Sequence, residues 1–184
     1  MRVGIAADHA GFGLKEYLKP HLTSLGHEVR DFGCTSDTEP VDYPFATLAV
    51  ADQLIDGGLD RAIYVCGNGY AMAMLANRIP GVRAAVCHDI FTARTCAEMG
   101  AANAISLGAR VVGRELALDL VKVWLAAEFQ GSVIERYRRR LDEVEAIERE
   151  LFGHAWRSRL RAWLADQSSK KGRAVESADR AALR

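Results

Sequence analysis

Short, almost wholly apolar runs alternate along this chain with longer amphipathic stretches, and that alternation restricts the fold more than any other feature. Arg2–Ala7, His27–Asp31, Arg61–Cys66, Val82–Cys87 and Ala104–Leu107 read as strands. Around them, Phe12–Leu25, Tyr43–Ile55, Tyr70–Arg78, Ile90–Met99, Arg114–Phe129 and Val133–Leu151 carry apolar residues at helical spacing. Gly26 and the Gly57-Gly58 pair stand where two of these helices should stop. A strand as apolar as Arg61–Cys66 is expected where both faces of a sheet are covered. Strand–helix alternation implies right-handed crossovers and a parallel sheet. The predicted fold is a Rossmann-like three-layer α/β/α sandwich with a five-stranded parallel sheet and a long C-terminal helix.

A length of 184 residues suits one domain with a sizeable core. We read residues 1–153 as that domain and 154–184 as a C-terminal extension. Within the extension, His154–Leu164 reads as a short helix bearing Trp156, Leu160, Trp163 and Leu164. Ser168–Arg184 is polar and poor in large apolar residues, the composition of a disordered tail. Lys plus Arg and Asp plus Glu each number 24, so no net field draws the chain to nucleic acid or to a membrane. The basic cluster Arg136–Arg140 is offset by Asp142, Glu143, Glu145 and Glu148, which argues against nucleic-acid binding. No apolar run approaches the roughly 20 residues of a membrane helix. The N-terminus reads as a first strand rather than a signal peptide. Cys34, Cys66, Cys87 and Cys96 lack the close pairing of a zinc site. A cytoplasmic protein with reduced thiols and no metal or cofactor is expected.

In an open parallel sheet, ligands bind beyond the C-terminal strand ends. That rule nominates two loops, Asp8-His9-Ala10-Gly11 and Cys66-Gly67-Asn68-Gly69. The first sets a carboxylate and an imidazole at a strand end; a helix-capping Asp beside an exposed His would look the same. The second faces a thiol toward backbone N–H groups at a helix start, which favours the thiolate. Such a sulfur suits a general base, and the N–H groups with the Asn68 amide suit an oxygen that gains charge. A buried structural Cys before a Gly-rich turn is the competing reading. Arg136 and Arg140, four apart, share one helix face and suit a phosphate, although most charge runs are solvated surface. His88 follows a strand and lies nearer the expected site than His21 or His27. Cys34, Cys87 and Cys96 show no obvious partners.

Together these pieces resemble the type B ribose-5-phosphate isomerase and galactose-6-phosphate isomerase family. The resemblance runs through Gly4–Phe12 with Leu14-Lys15, Gly26–Val29, Asp31-Phe32-Gly33 and Asp42-Tyr43-Pro44. It continues through Cys66-Gly67-x-Gly69, Ala76–Ala84, Asn103 and Leu107–Gly113, and spans about residues 2–150. It implies a cofactor-free aldose–ketose isomerase acting on a sugar phosphate, of the ribose 5-phosphate/ribulose 5-phosphate type, through an enediolate. Cys66 would be the base, with the loop Gly67–Ala71, including Asn68 and Gly69, stabilising the intermediate. Asp8, His9 and Tyr43 would contact the sugar, and Arg110, Arg136 and Arg140 the phosphate. The family's site is shared between two subunits, so a homodimer, or dimers paired into a tetramer, is implied.

Several positions depart from the family pattern. Asn68 and Ala71 replace the Thr and the last Gly of the usual Cys-Gly-Thr-Gly-x-Gly loop. The family's ring-opening His-Asn pair falls on Met99-Gly100, and a thioether cannot transfer a proton. The phosphate segment aligns with three residues inserted after Gly131, and Tyr137 then replaces a histidine. A substrate that needs no ring opening, such as a tetrose phosphate, is the expectation drawn from Met99. A non-catalytic sugar-phosphate-binding subunit that keeps the fold is the alternative, and a thiol retained at the base position argues against it.

Overall fold

The computed structural model describes residues 1–153 and 155–182; His154, Leu183 and Arg184, which fall in the expected extension, lie outside the described residues. Five strands, β1 (Arg2–Ala7), β2 (Glu28–Asp31), β3 (Arg61–Cys66), β4 (Ala84–Val86) and β5 (Ala104–Gly108), form one sheet in the order β2-β1-β3-β5-β4. Every pairing is parallel, with Ile5 beside Ile63 and Ile63 beside Ile105 in the central strands. The helices are α1 (Phe12–Ser24), α2 (Tyr43–Ile55), α3 (Tyr70–Ala76), α4 (Ile90–Gly100), α5 (Arg114–Ala126), α6 (Glu135–Phe152) and α7 (Trp156–Ala182). The expected three-layer sandwich is what forms.

Period-two alternation in the strands divides the core. Val3, Ile5, Ile63, Val65, Ile105 and Leu107 face α1, α4 and α5, where Leu18, Leu22, Leu120 and Trp124 are fully buried. Ala6, Ala62, Tyr64, Cys66 and Ala104 face α2 and α3, packing on Val50, Ala51, Met72 and Ala76. Cys66 therefore belongs to the α2/α3 layer by its parity in β3. Burial of these side chains drives the fold, at about 1.5–3 kcal/mol for each large apolar residue.

Some boundaries differ from the sequence expectation, and each has a tertiary cause. The helix expected over Arg114–Phe129 ends at Ala126, because Arg61 donates to the carbonyls of Trp124 and Ala127 from the neighbouring strand. The strand expected over Val82–Cys87 shortens to Ala84–Val86, since the Arg83 amide donates to Asn103 Oδ1 at 2.8 Å. The tail differs most. Where a short helix and then disorder were expected, α7 runs on to Ala182. The Asp166–Lys170 pair, one turn apart, supports the helix beyond Leu164. Near its start, Trp156, Leu160 and Leu164 pack onto the α2/α3 layer. Arg157 pairs with Asp56, and Arg161 with Asp52 and Asp56, on the outer side of α2. Among the described residues, no helix is long and apolar enough to cross a membrane.

Candidate active site

The strand order reverses beside β1, with β2 on one side and β3 on the other. The ends of β1 and β3 define the switch point where such sheets open a crevice. A cleft of about 270 Å³ lies there, lined by Asp8, His9, Ala10, Tyr43, Cys66, Gly67, Asn68, Tyr70, Ala71 and Arg110. Both nominated loops and the first turn of α2 thus converge. Ala10 and Tyr70 belong to the Asp8–Gly11 and Gly67–Ala71 loops, with no role of their own expected from the sequence.

The first loop is built by a short 3₁₀ turn, His9–Gly11, capped by Asp8 Oδ1, which accepts from the Gly11 N–H at 2.9 Å. Asp8 is thus a cap, and the same carboxyl still lines the cleft. Gly11 is required by packing: a Cβ there would stand 2.3 Å from the Val65 carbonyl oxygen. His9 engages Val41 through Nδ1, at 3.3 Å from the backbone nitrogen and 3.4 Å from the oxygen. That contact orients the ring and leaves Nε2 without a hydrogen bond among the described residues.

The second loop starts at Cys66, which is 3% exposed at the end of β3. Its sulfur accepts from the Gly69 N–H at 3.2 Å. Gly69 adopts φ +84°, the left-handed region, which turns the chain from the loop into α3. The loop is fastened to β5 and the residues after it: Ser106 Oγ donates to the Gly69 carbonyl, and the Ala109 N–H donates to the Cys66 carbonyl at 2.8 Å. Behind it, His88 Nε2 accepts from the Gly108 N–H at 3.2 Å. His88, marked only by its position after a strand, is therefore part of the scaffold behind the loop. Asn68 is exposed on the cleft side.

Arg110 donates its backbone N–H to the Gly67 carbonyl at 3.0 Å. Its guanidinium lies against Gly67, where a Cβ would be 3.5 Å from Cζ. Among the described residues Arg110 makes no ion pair, which leaves its charge available for an anion.

Four of the sequence candidates lie elsewhere in the chain. Met99, Gly100 and Arg140 line a second cleft of about 300 Å³ with Arg83, Tyr137, Leu141 and Val144. Arg136 lies one residue before Tyr137, donates to its Oη at 3.2 Å and stacks on its ring. The basic run is not uniform. Arg138 is neutralised by Asp142 and Glu145, and Arg139 by Glu143. Arg136 and Arg140 make no ion pair among the described residues. The two arginines at phosphate-clamp spacing are thus the two without a carboxylate. No group of three or more His, Cys, Asp or Glu side chains that could hold a metal occurs among the described residues.

Known proteins resemble this chain over most of its length. The Ribose/Galactose Isomerase family model matches residues 3–144. A putative sugar phosphate isomerase of Bacillus subtilis is 36% identical over 148 residues, 80% of this chain and 97% of that protein. A D-erythrulose-4-phosphate isomerase of Pectobacterium atrosepticum is 37% identical over 131 residues, covering 71% and 86% of the two chains. The structure of Clostridium thermocellum ribose-5-phosphate isomerase B superimposes with a TM-score of 0.77 at 44% identity, covering 82% of this chain and 99% of that one.

Proposed function

Because this chain belongs to the ribose/galactose isomerase family of sugar-phosphate isomerases, we propose that it interconverts an aldose phosphate and its ketose by proton transfer at Cys66. The observation that carries the proposal is the convergence of Cys66, Asn68, His9 and Arg110 on one cleft at the sheet's switch point.

In this reading the Cys66 thiolate removes the proton from the carbon next to the carbonyl. The electron pair left behind forms the enediolate double bond, and the carbonyl oxygen takes up negative charge. Asn68 and the amides of the Gly67–Ala71 loop, apart from the Gly69 N–H that is given to the Cys66 sulfur, serve that oxygen, and fixed donors of this kind are the usual device for stabilising it. Returning the proton to the neighbouring carbon completes the isomerisation. His9, oriented through Nδ1, is placed to move a proton between the two oxygens. Asp8 and Tyr43 bind the sugar, and Arg110 binds the phosphate.

Arg136, Arg140, Met99 and Gly100 line or adjoin a different cleft of the same chain, and in this reading they serve the Cys66 site from a second subunit. We assign them to the cleft of a partner copy in a homodimer, where the unpaired arginines grip the phosphate. Chemistry then resides in residues 1–153, and residues 154–184 are an addition to it. For the substrate, Met99 supports a sugar phosphate that needs no ring opening, of the tetrose phosphate class.

The test is turnover of a panel of four-, five- and six-carbon sugar phosphates by wild type and Cys66→Ala, followed in deuterated water. Wild type should incorporate solvent deuterium at the carbon beside the carbonyl, and Cys66→Ala should not. Equal exchange by both proteins would remove Cys66 from the mechanism.

A further inference from the structure

Cys87 follows β4 and Cys96 lies midway along α4, and neither belongs to the cleft described above. Their sulfurs are 3.9 Å apart. A disulfide needs about 2.05 Å, so the two are in contact and unbonded. They differ in access. Cys87 is fully buried, whereas Cys96 is half-buried and lines a cleft of about 370 Å³ with Arg83, Ala85, Gly100 and Ala102. In the single chain one thiol is thus reachable from outside, and the second stands directly behind it.

The surroundings divide the two chemically. The hydrogen bond between the sulfurs holds the Cys96 thiol below the ordinary range and pushes Cys87 above it; burial opposes the first shift and adds to the second. The Arg61 guanidinium also favours the Cys96 anion. A half-buried sulfur lining a cleft near the Arg61 guanidinium, with a second, fully buried thiol in contact behind it, is the arrangement of a reacting and a resolving cysteine. The isomerase chemistry uses neither residue, so nothing in it accounts for their pairing.

We propose that Cys87 and Cys96 form a redox-active dithiol that a small hydroperoxide converts into an intramolecular disulfide. With hydrogen peroxide, the Cys96 thiolate attacks one oxygen, the O–O bond breaks, and the departing hydroxide takes up the proton that Cys96 released on ionising and leaves as water. Cys96 is then a sulfenic acid. The Cys87 sulfur attacks the Cys96 sulfur, the S–O bond breaks, and the oxygen leaves as a second water with the Cys87 proton. Two thiols are oxidised, one hydroperoxide is reduced and two protons are accounted for in the waters. The S–S bond closes a loop over residues 88–95, which holds His88 and the Asp89 cap of α4. The sulfurs must approach by about 2 Å, within reach of side-chain rotation and a small shift of α4.

Hydrogen peroxide is added to the full-length protein, which is then denatured with iodoacetamide and digested with trypsin. Trypsin cuts after Arg83, Arg94 and Arg110, so the two cysteines fall in separate peptides, 84–94 and 95–110. The expected product is these two peptides joined by a disulfide and separated by dithiothreitol. Cys87→Ser should instead accumulate a dimedone adduct at Cys96, because the resolving thiol is gone. Recovery of both wild-type peptides fully alkylated, at peroxide concentrations that oxidise Cys66, would overturn the proposal. So would a Cys96–Cys96 link between two chains in place of the internal bond.

Discussion

His88 Nε2 accepts a hydrogen bond from the Gly108 N–H at 3.2 Å, joining the end of β4 to the end of β5 directly behind the Cys66 loop. A Cβ on Gly69 would stand 3.0 Å from the same nitrogen and 2.8 Å from Gly108 N. The imidazole is therefore both a hydrogen-bond acceptor and a wedge against the residue whose N–H caps the Cys66 sulfur.

His88→Ala should lower kcat/KM by about 10-fold, through kcat more than KM, while the far-ultraviolet circular dichroism is unchanged. Losing the imidazole frees the Gly108 N–H and opens space beside Gly69, so the capping amide is less well placed. His88→Gln restores an acceptor of similar reach and should recover part of the loss. Equal losses in both variants would assign His88 to packing alone.

Gly69→Ala tests the same loop from its other side. At φ +84° an alanine costs roughly 1–2 kcal/mol in backbone strain, before its Cβ meets Gly108. A fall in urea stability of at least that size is expected, with turnover reduced far more than stability alone explains. Wild-type turnover in a folded Gly69→Ala protein would show that the amide-to-sulfur contact has no part in catalysis.

These two residues mark where sequence reading stops. The bounds of β1, α2 and β3 coincide with the sequence expectation, because apolar runs and glycine stops are local signals. Cys66, Asn68, His9, Asp8, Tyr43 and Arg110 were legible as members of one cleft, since strand-end loops and family motifs both point there. The grip of His88 on Gly108 spans 20 residues and leaves no periodic or compositional trace. The capping of α5 by Arg61 is equally silent, linking residues 63 and 66 apart. Cys87 and Cys96 looked partnerless for the same reason: nothing in the order of residues sets a strand end against the middle of the next helix.

Acid sensitivity should trace to Asp31. Lys15, 1% exposed, donates to Asp31 Oδ2 at 2.6 Å, and Lys19 adds a second bond at 2.7 Å. Burial by itself would raise the Asp31 carboxyl, but the bonds from Lys15, Lys19 and the Gly33 N–H outweigh it and hold the pKa below the usual carboxylate range. A depressed folded-state value means that the contribution is complete above the unfolded carboxylate pKa, about 3.9. It fades as pH falls below that value and is gone once pH drops through the folded value. Asp31→Asn should cost roughly 2 kcal/mol at pH 7. It should also flatten the loss of stability below about pH 4 in urea titrations. Parallel acid profiles for wild type and variant would place the sensitivity elsewhere.

The extension should be held by α2. Leu160 is 9% exposed against the α2/α3 layer, while Arg161 reaches Asp52 and Asp56 at the surface. Surface pairs of this kind contribute little, so the apolar contact carries most of the docking. Leu160→Asp should release α7, seen as faster amide exchange over residues 156–170 and along the outer face of α2. Arg161→Ala should change that exchange much less. Similar effects from both variants would make the ion pairs the main fastening.

Met99 offers the sharpest test of substrate. It is 40% exposed and shares its cleft with Arg140 and Tyr137, so a side chain here reaches whatever Arg140 binds. A thioether neither gives nor takes a proton, whereas opening a furanose requires one to move from the ring hydroxyl to the ring oxygen. A four-carbon ketose phosphate esterified at its terminal hydroxyl has no such ring to open. Met99→His should therefore raise kcat/KM for ribose 5-phosphate by about 10-fold or more, the lower end of what general acid–base assistance supplies. The same change should leave a tetrose phosphate nearly unaffected, because its chemistry at Cys66 never waits on ring opening. The ratio of the two kcat/KM values is the quantity to measure, since it cancels any general loss from the substitution. An unchanged ratio would mean that residue 99 has no role in selecting between cyclic and acyclic sugars, and the preference would then have to reside in Asn68 and Ala71.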